Sequence, residues 1–148
     1  MFRFLVALLL VSALPAAAVP INVGNFVWED IDGDGVQDAG EPGMAGVIVQ
    51  LWNGDKTNMH DSATTDASGF YSLIAPGPGQ YRVRVLLPSN AFPFSPKDKD
   101  DDSLDSDIHP DGALWGFTDT LVVGSAPGLD TRVDAGLAGL RVFADGFE

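Results

Sequence analysis

A chain of 148 residues without a single cysteine is long enough for one domain and must hold it together without disulfides. Its formal net charge of −13, from 21 Asp and Glu against 8 Lys and Arg, makes nucleic acid and anionic membrane poor partners. No internal repeat is visible, so one domain is the natural count.

The N-terminal stretch MFRFLVALLLVSALPAAAVP carries Arg3 as its basic start, an apolar run from Phe4 to Leu14 and the small-residue ending Ala16-Ala17-Ala18. That is the pattern of a secretory signal peptide over residues 1–18, cleaved after Ala18. The apolar run is too short to span a bilayer, and there is no cysteine to carry a lipid, so no membrane insertion is expected and the product is secreted. Losing Arg3 leaves 7 basic residues against 21 acidic ones, a net charge of −14.

GNFVWE, with Gly24, Phe26, Val27 and Trp28, has the composition of a strand. It runs straight into DIDGDGVQDAGE, residues Asp30 to Glu41, which has the full spacing of a twelve-residue calcium loop. Such a loop supplies oxygens from positions 1, 3, 5, 7, 9 and 12 and turns on a glycine at position 6. Here those positions hold Asp30, Asp32, Asp34, the carbonyl of Val36, Asp38 (directly or through water) and Glu41, with Gly35 at the turn. Calcium, a hard cation taking six to eight oxygens, suits several converging carboxylates. An acidic solvated turn is the competing reading, because Asp-Gly stretches also form generic turns. The filled twelfth position favours calcium. Pro42 and Gly43 block an exiting helix, so the loop is expected between strands and not between helices.

Further on, Val47, Val49 and Leu51 alternate with Ile48, Gln50 and Trp52, predicting a strand over 46–53. Asn53-Gly54-Asp55 turns the chain, Met59 to Thr65 returns as a weaker strand, and Asp66 to Gly69 turns again into Phe70–Ile74. After Pro76-Gly77-Pro78-Gly79, the segment Tyr81–Leu86 alternates with Tyr81, Val83 and Val85 inward and two arginines outward. Strand composition recurs over Trp115–Val123 and Thr131–Leu137. About seven short strands without a helical period point to an all-β fold, a β-sandwich. The segment from Pro88 to Gly112 is too long for a plain connector. Its centre, KDKDDDSLDSDIHPDG, gathers six aspartates between Asp98 and Asp107, and Asp105 with Asp107 is a candidate for a second or shared metal contribution.

In order, GNFVWEDIDGDGVQDAGEPGMAGVIVQLW, TTDASGFYSL, PGPGQYRVRV, DSD and VDAGL resemble the B domain of SD-repeat surface proteins, a relative of Cna B-type modules. The resemblance covers residues 22–137 and leaves 138–148 as a C-terminal tail. It implies an immunoglobulin-like β-sandwich that binds calcium and serves as a spacer or interaction module. By motif match it implies Asp30, Asp32, Asp34 and Glu41 as ligands, and, more distantly, Asp105, Asp107 and Asp134. Two features depart from the family's best-known members. One module follows the signal peptide directly, and the ending RVFADGFE has no LPxTG-type motif, apolar span or basic tail, so no wall anchoring is expected. Many Cna B-type relatives also cross-link a first-strand Lys to a last-strand Asn; here the lysines are Lys56, Lys97 and Lys99, and Thr131–Leu137 contains no Asn, so no such bond is expected.

The functional expectation is a secreted, non-enzymatic calcium-binding module that touches an unidentified extracellular protein or glycan. His60 and His109 stand in no nucleophile motif and form no zinc cluster. Turn aspartates suit calcium better than the paired carboxyls of a glycosidase. A dockerin would need the loop twice, with helices. The chief rival is a carbohydrate-binding module in which Trp52 and Trp115 stack on sugar rings, with Trp28 kept for packing.

Overall fold

The structure, a computed structural model, describes residues 21–88, 92–99, 104–124 and 132–139. The expected signal peptide, Asp100 to Asp102, Thr131 and most of the C-terminal tail lie outside the described residues.

The fold is all-β, with eight strands among the described residues. These are β1 (Ile21–Val23), β2 (Phe26–Asp30), β3 (Ile48–Asn53), β4 (Met59–Thr64), β5 (Leu73–Ala75), β6 (Gly79–Leu86), β7 (Leu121–Val123) and β8 (Asp134–Ala138). The largest sheet has the order β4-β3-β6-β7 and is antiparallel throughout. Alternation dictates its two faces. Val49 pairs with Val85 and Leu51 with Val83, all buried, while Gln50 pairs with Arg84 and Trp52 with Arg82 on the other side. The Asn53-Gly54-Asp55 turn closes as expected: Asn53 Oδ1 accepts from the amides of Thr57 and Asn58, each at 2.9 Å.

Two smaller sheets complete the core. β1 pairs antiparallel with β5, and β2 pairs parallel with β8. The parallel pair joins the two ends of the domain and sets Trp28 opposite Gly136. Trp28 is fully buried, and a Cβ on Gly136 would come within 2.8 Å of its ring, so only glycine lets the indole lie against β8. Val23, Val27, Leu73 and Leu137 pack with Val47, Val49, Leu51, Val83 and Val85 in one cluster.

The strand expected over Trp115–Val123 is shorter than its composition suggests. Gly112–Leu114 form a single 3-10 turn, Phe117 makes only an isolated bridge to Arg84, and strand pairing begins at Leu121. Thr118 is the reason: its hydroxyl accepts from the Val83 amide at 3.1 Å and donates to the Asp119 carbonyl at 2.7 Å, diverting the backbone from a continuous ladder. Among the described residues no helix is long and apolar enough to cross a membrane.

Candidate metal centre

β2 ends at Asp30, and the loop that follows is built by its own carboxylates. The Asp30 side chain is fully buried, with Oδ1 accepting from Gly33 N at 2.6 Å and Oδ2 from Gly35 N at 3.0 Å. Asp32 Oδ1 accepts from Asp34 N at 3.2 Å and Asp34 Oδ1 from Val36 N at 2.8 Å, so each aspartate folds the next turn. Glu41 reaches back across the loop: Oε1 accepts from Ile31 N at 2.7 Å and Oε2 from Asp38 N at 3.0 Å. The first and twelfth positions thereby close on each other.

The result is two converging sets of acid oxygens. Asp30, Asp32 and Glu41 form one, and Asp32, Asp34 and Asp38 the other, each with ligand atoms within 4.8 Å of one another. Asp32 belongs to both. A carboxylate oxygen that accepts one amide keeps a lone pair free, so these bonds orient the donors without exhausting them. An all-oxygen, mostly anionic donor set fits a hard cation such as calcium and offers nothing to a soft metal.

The loop's outer half is clamped by the acidic segment expected to contribute from afar. Val36 bridges Asp105, Gln37 N donates to Leu104 O at 2.7 Å, and Ser106 N donates to Gly35 O at 3.1 Å. Gly35 is indispensable to this contact, because its φ is +88° and a Cβ there would fall 2.2 Å from the Pro96 carbonyl oxygen. Asp105 is buried beside the loop, but it joins neither of the two acid sets.

Asp107 and Asp134 form a separate locus. Asp134 pairs with Phe26, four residues before Asp30 on β2, which places it about 13 Å along the strand from the loop. Asp107 N donates to Asp134 O at 2.9 Å while Asp107 Oδ2 accepts from Asp134 N at 2.8 Å. Asn25 Nδ2 donates to Asp134 Oδ2 at 3.1 Å, whereas Asp134 Oδ1 is buried with no hydrogen-bond partner among the described residues. Burial raises the Asp134 carboxyl to about 6 against the opposing pull of the Asn25 amide, the Phe26 backbone and Arg132; Asp105 adds to the rise. Tyr71 lies in the same region and donates to the Val133 carbonyl at 2.7 Å. Burial, and then the charges of Asp134 and Asp107, lift its hydroxyl well above the ordinary range, so it stays neutral.

A model of the SdrD B-like domain matches residues 21–137 of this chain. The chain belongs to the SdrD B-like domain family. Among similar proteins, serine-aspartate repeat-containing protein C of Staphylococcus aureus strain N315 is 38% identical over 86 residues, 58% of this chain and 9% of that protein. The protein of the same description from strain NCTC 8325 / PS 47 is also 38% identical over 86 residues, 58% of this chain and 8% of its own length. The matched region is thus a small part of those relatives. Among solved structures, the major plantain pollen allergen Pla l 1 superimposes with a TM-score of 0.45 at 17% identity, covering 82% of this chain and 94% of that one.

The other singled-out residues of this SdrD B-like domain fall outside its acid loop. Trp115 is 48% exposed and meets Phe94 edge-on, while Trp52 is half-buried and meets Phe117. His60 is exposed against the Tyr81 ring. His109 bonds Asp119 at 3.1 Å, and Lys97 joins Asp98 and Asp119. Burial works against Asp119's charge, yet the His109 and Lys97 contacts outweigh it and hold its carboxyl below the usual range. Nothing in the sequence marked Asn25 as the partner of a residue 109 positions away.

Proposed function

We propose that this SdrD B-like domain is a secreted, non-enzymatic, calcium-binding module with an immunoglobulin-like β-sandwich, acting in structure or adhesion at or beyond the cell surface. The observation that carries the reading is the pair of acid sets sharing Asp32, oriented by amides within the Asp30–Glu41 loop. Asp30, Asp32, Asp34, Asp38 and Glu41 would hold the ion, with the Val36 carbonyl as the seventh-position donor of the loop pattern. Bound calcium would neutralise the repulsion among these side chains and fasten β2 to the 104–106 segment through the Val36–Asp105 bridge. Asp105, beside the loop, and the separate pair Asp107 and Asp134 are further ligand candidates in this proposal, the pair supported by the Asp134 Oδ1 that has no partner among the described residues.

The sandwich reading is supported by the inward face of β4-β3-β6-β7 packing on residues of the two smaller sheets. Membership of the SdrD B-like family and likeness to serine-aspartate repeat proteins support a surface or extracellular setting. In the same proposal the domain occupies residues 22–137, after a signal peptide over 1–18 and before a tail over 138–148. Calorimetric titration of calcium into chelator-stripped protein tests the metal. Saturable binding that Asp32→Ala and Glu41→Ala each weaken supports it; no saturable heat with the unaltered protein refutes it.

A further inference from the structure

The outer face of the β4-β3-β6-β7 sheet collects cations in an otherwise acidic molecule. Pairing of Trp52 with Arg82 and of Gln50 with Arg84 sets these side chains opposite the buried face. Phe117 bridges Arg84, and its ring is shared by two cations: the Arg84 guanidinium carbon lies 5.3 Å from the centroid and Lys56 Nζ 5.2 Å. Trp52 meets the same ring edge-on at 6.4 Å, and its indole N–H donates to Gln50 Oε1 at 3.1 Å. Arg82 is anchored on carbonyls, donating from Nε to Gly54 at 2.9 Å and from Nη1 to Thr118 at 2.7 Å. Lys56 Nζ donates to the Ala113 carbonyl at 3.2 Å, and Arg84 Nε is buried without a hydrogen-bond partner among the described residues.

Three of the chain's 8 basic residues therefore share one patch, and none of the three makes an ion pair among the described residues, where the ion pairs belong to Lys97 and His109. The outward positions of β3 and β6 carry no carboxylate, although the chain has 21. Cations without an acid partner among the described residues keep their charge for a group beyond this patch. Aromatic rings beneath and beside them narrow the chemistry of that group. Trp52 and Phe117 offer apolar surface beside Arg82, Arg84 and Lys56, matching a ligand that alternates C–H faces with anionic groups.

We propose that this face binds an acidic polysaccharide, its uronate carboxylates meeting Arg84, Arg82 and Lys56 while sugar rings lie against Trp52 and Phe117. An acidic peptide would satisfy the cations but present no rigid apolar ring face to Trp52. The molecule's net negative charge opposes such a partner at long range, but screening within about 8 Å at physiological ionic strength leaves contact chemistry to decide. The inference names a partner for the adhesive reading above and rests on it for its setting; its geometry uses no residue of the acid loop.

The test is a tryptophan-fluorescence titration with hyaluronate, with dextran as the neutral polymer and poly-L-glutamate as the acidic peptide, in calcium and in chelator. Hyaluronate is expected to shift the emission, added salt to weaken binding, and Arg84→Gln or Lys56→Gln to weaken it about tenfold, the loss of one charge-assisted contact. Dextran and poly-L-glutamate should leave the spectrum unchanged. Should Arg84→Gln lower the melting temperature, Lys56→Gln, in an exposed turn, decides alone. No response to hyaluronate, an equal response to dextran or poly-L-glutamate, or binding that neither variant weakens overturns the proposal. Thermal melting of the same samples separates it from the calcium reading, because a lost calcium response with hyaluronate binding retained contradicts only the latter.

Discussion

Asp30 shows how one residue can serve both fold and site. Its carboxylate is buried at the end of β2, and the amides it accepts start the loop that brings Asp32, Asp34 and Glu41 round to it. The convergence of these acids was legible, because their spacing is local and each side chain bonds within the one twelve-residue loop. The Asp134 locus was not, since its partners Asn25 and Asp107 come from distant segments that only the folded chain brings together. Asp134 also carries a pH prediction. Its folded-state value of about 6 lies above the ordinary carboxyl value of 3.8, so the folded chain holds this proton more tightly than the unfolded one. That stability, of the order of 3 kcal/mol at most, is present below about pH 4 and lost as pH rises through about 6. In chelator, Asp134→Asn should therefore flatten the fall in urea stability across this range; an unchanged slope would show that the proton resides elsewhere. Gly136→Ala should cost roughly 1–3 kcal/mol by forcing Trp28 off β8. A urea midpoint equal to that of the unaltered protein would mean that the pair can separate freely.

At the level of elements, β3 and β6 were readable because alternation alone assigns their faces, and Val49, Leu51, Val83 and Val85 are buried as that pattern requires. The parallel pairing of β2 with β8 was not readable. It is set by the whole path of the chain, and VDAGL carries no period that names its neighbour. Trp115–Val123 misled for a different reason, since strand-like residues there are diverted by the Thr118 hydroxyl and by the 3-10 turn before them. The same elements bear on cross-linking. Lys97 is engaged with Asp98 and Asp119, Lys56 with the Ala113 carbonyl, and β8 contains no Asn. The intact mass of the mature protein should therefore equal its sequence mass; a deficit of one ammonia or water mapped to a lysine would reveal an acceptor elsewhere.

For the molecule as a whole, the acidic charge and the proposed export bear on each other. Cleavage after Ala18 would start the product at Val19, and N-terminal mass spectrometry of exported protein checks this; retention of residues 1–18 would contradict secretion by this signal. The exported product then carries a net charge of −14, much of it within the Asp30–Glu41 loop and the segment from Asp98 to Asp107. With the carboxylates of the Asp30–Glu41 loop converging and no disulfide available, an ion that binds only the folded state contributes stability as RT ln(1 + [L]/Kd), about 2.7 kcal/mol when calcium is about one hundred times Kd. For a domain of this size that is a shift of several degrees or more in melting temperature. The most direct measurement is thermal unfolding of the stripped protein in calcium, in magnesium and in EDTA, alongside Asp32→Ala and Glu41→Ala. A calcium-specific rise is expected, with magnesium a poor substitute because it demands a tighter octahedron, and a rise diminished in both variants. A midpoint indifferent to EDTA, or variants that respond to calcium like the unaltered protein, would show the Asp30–Glu41 loop to be an ordinary acidic turn.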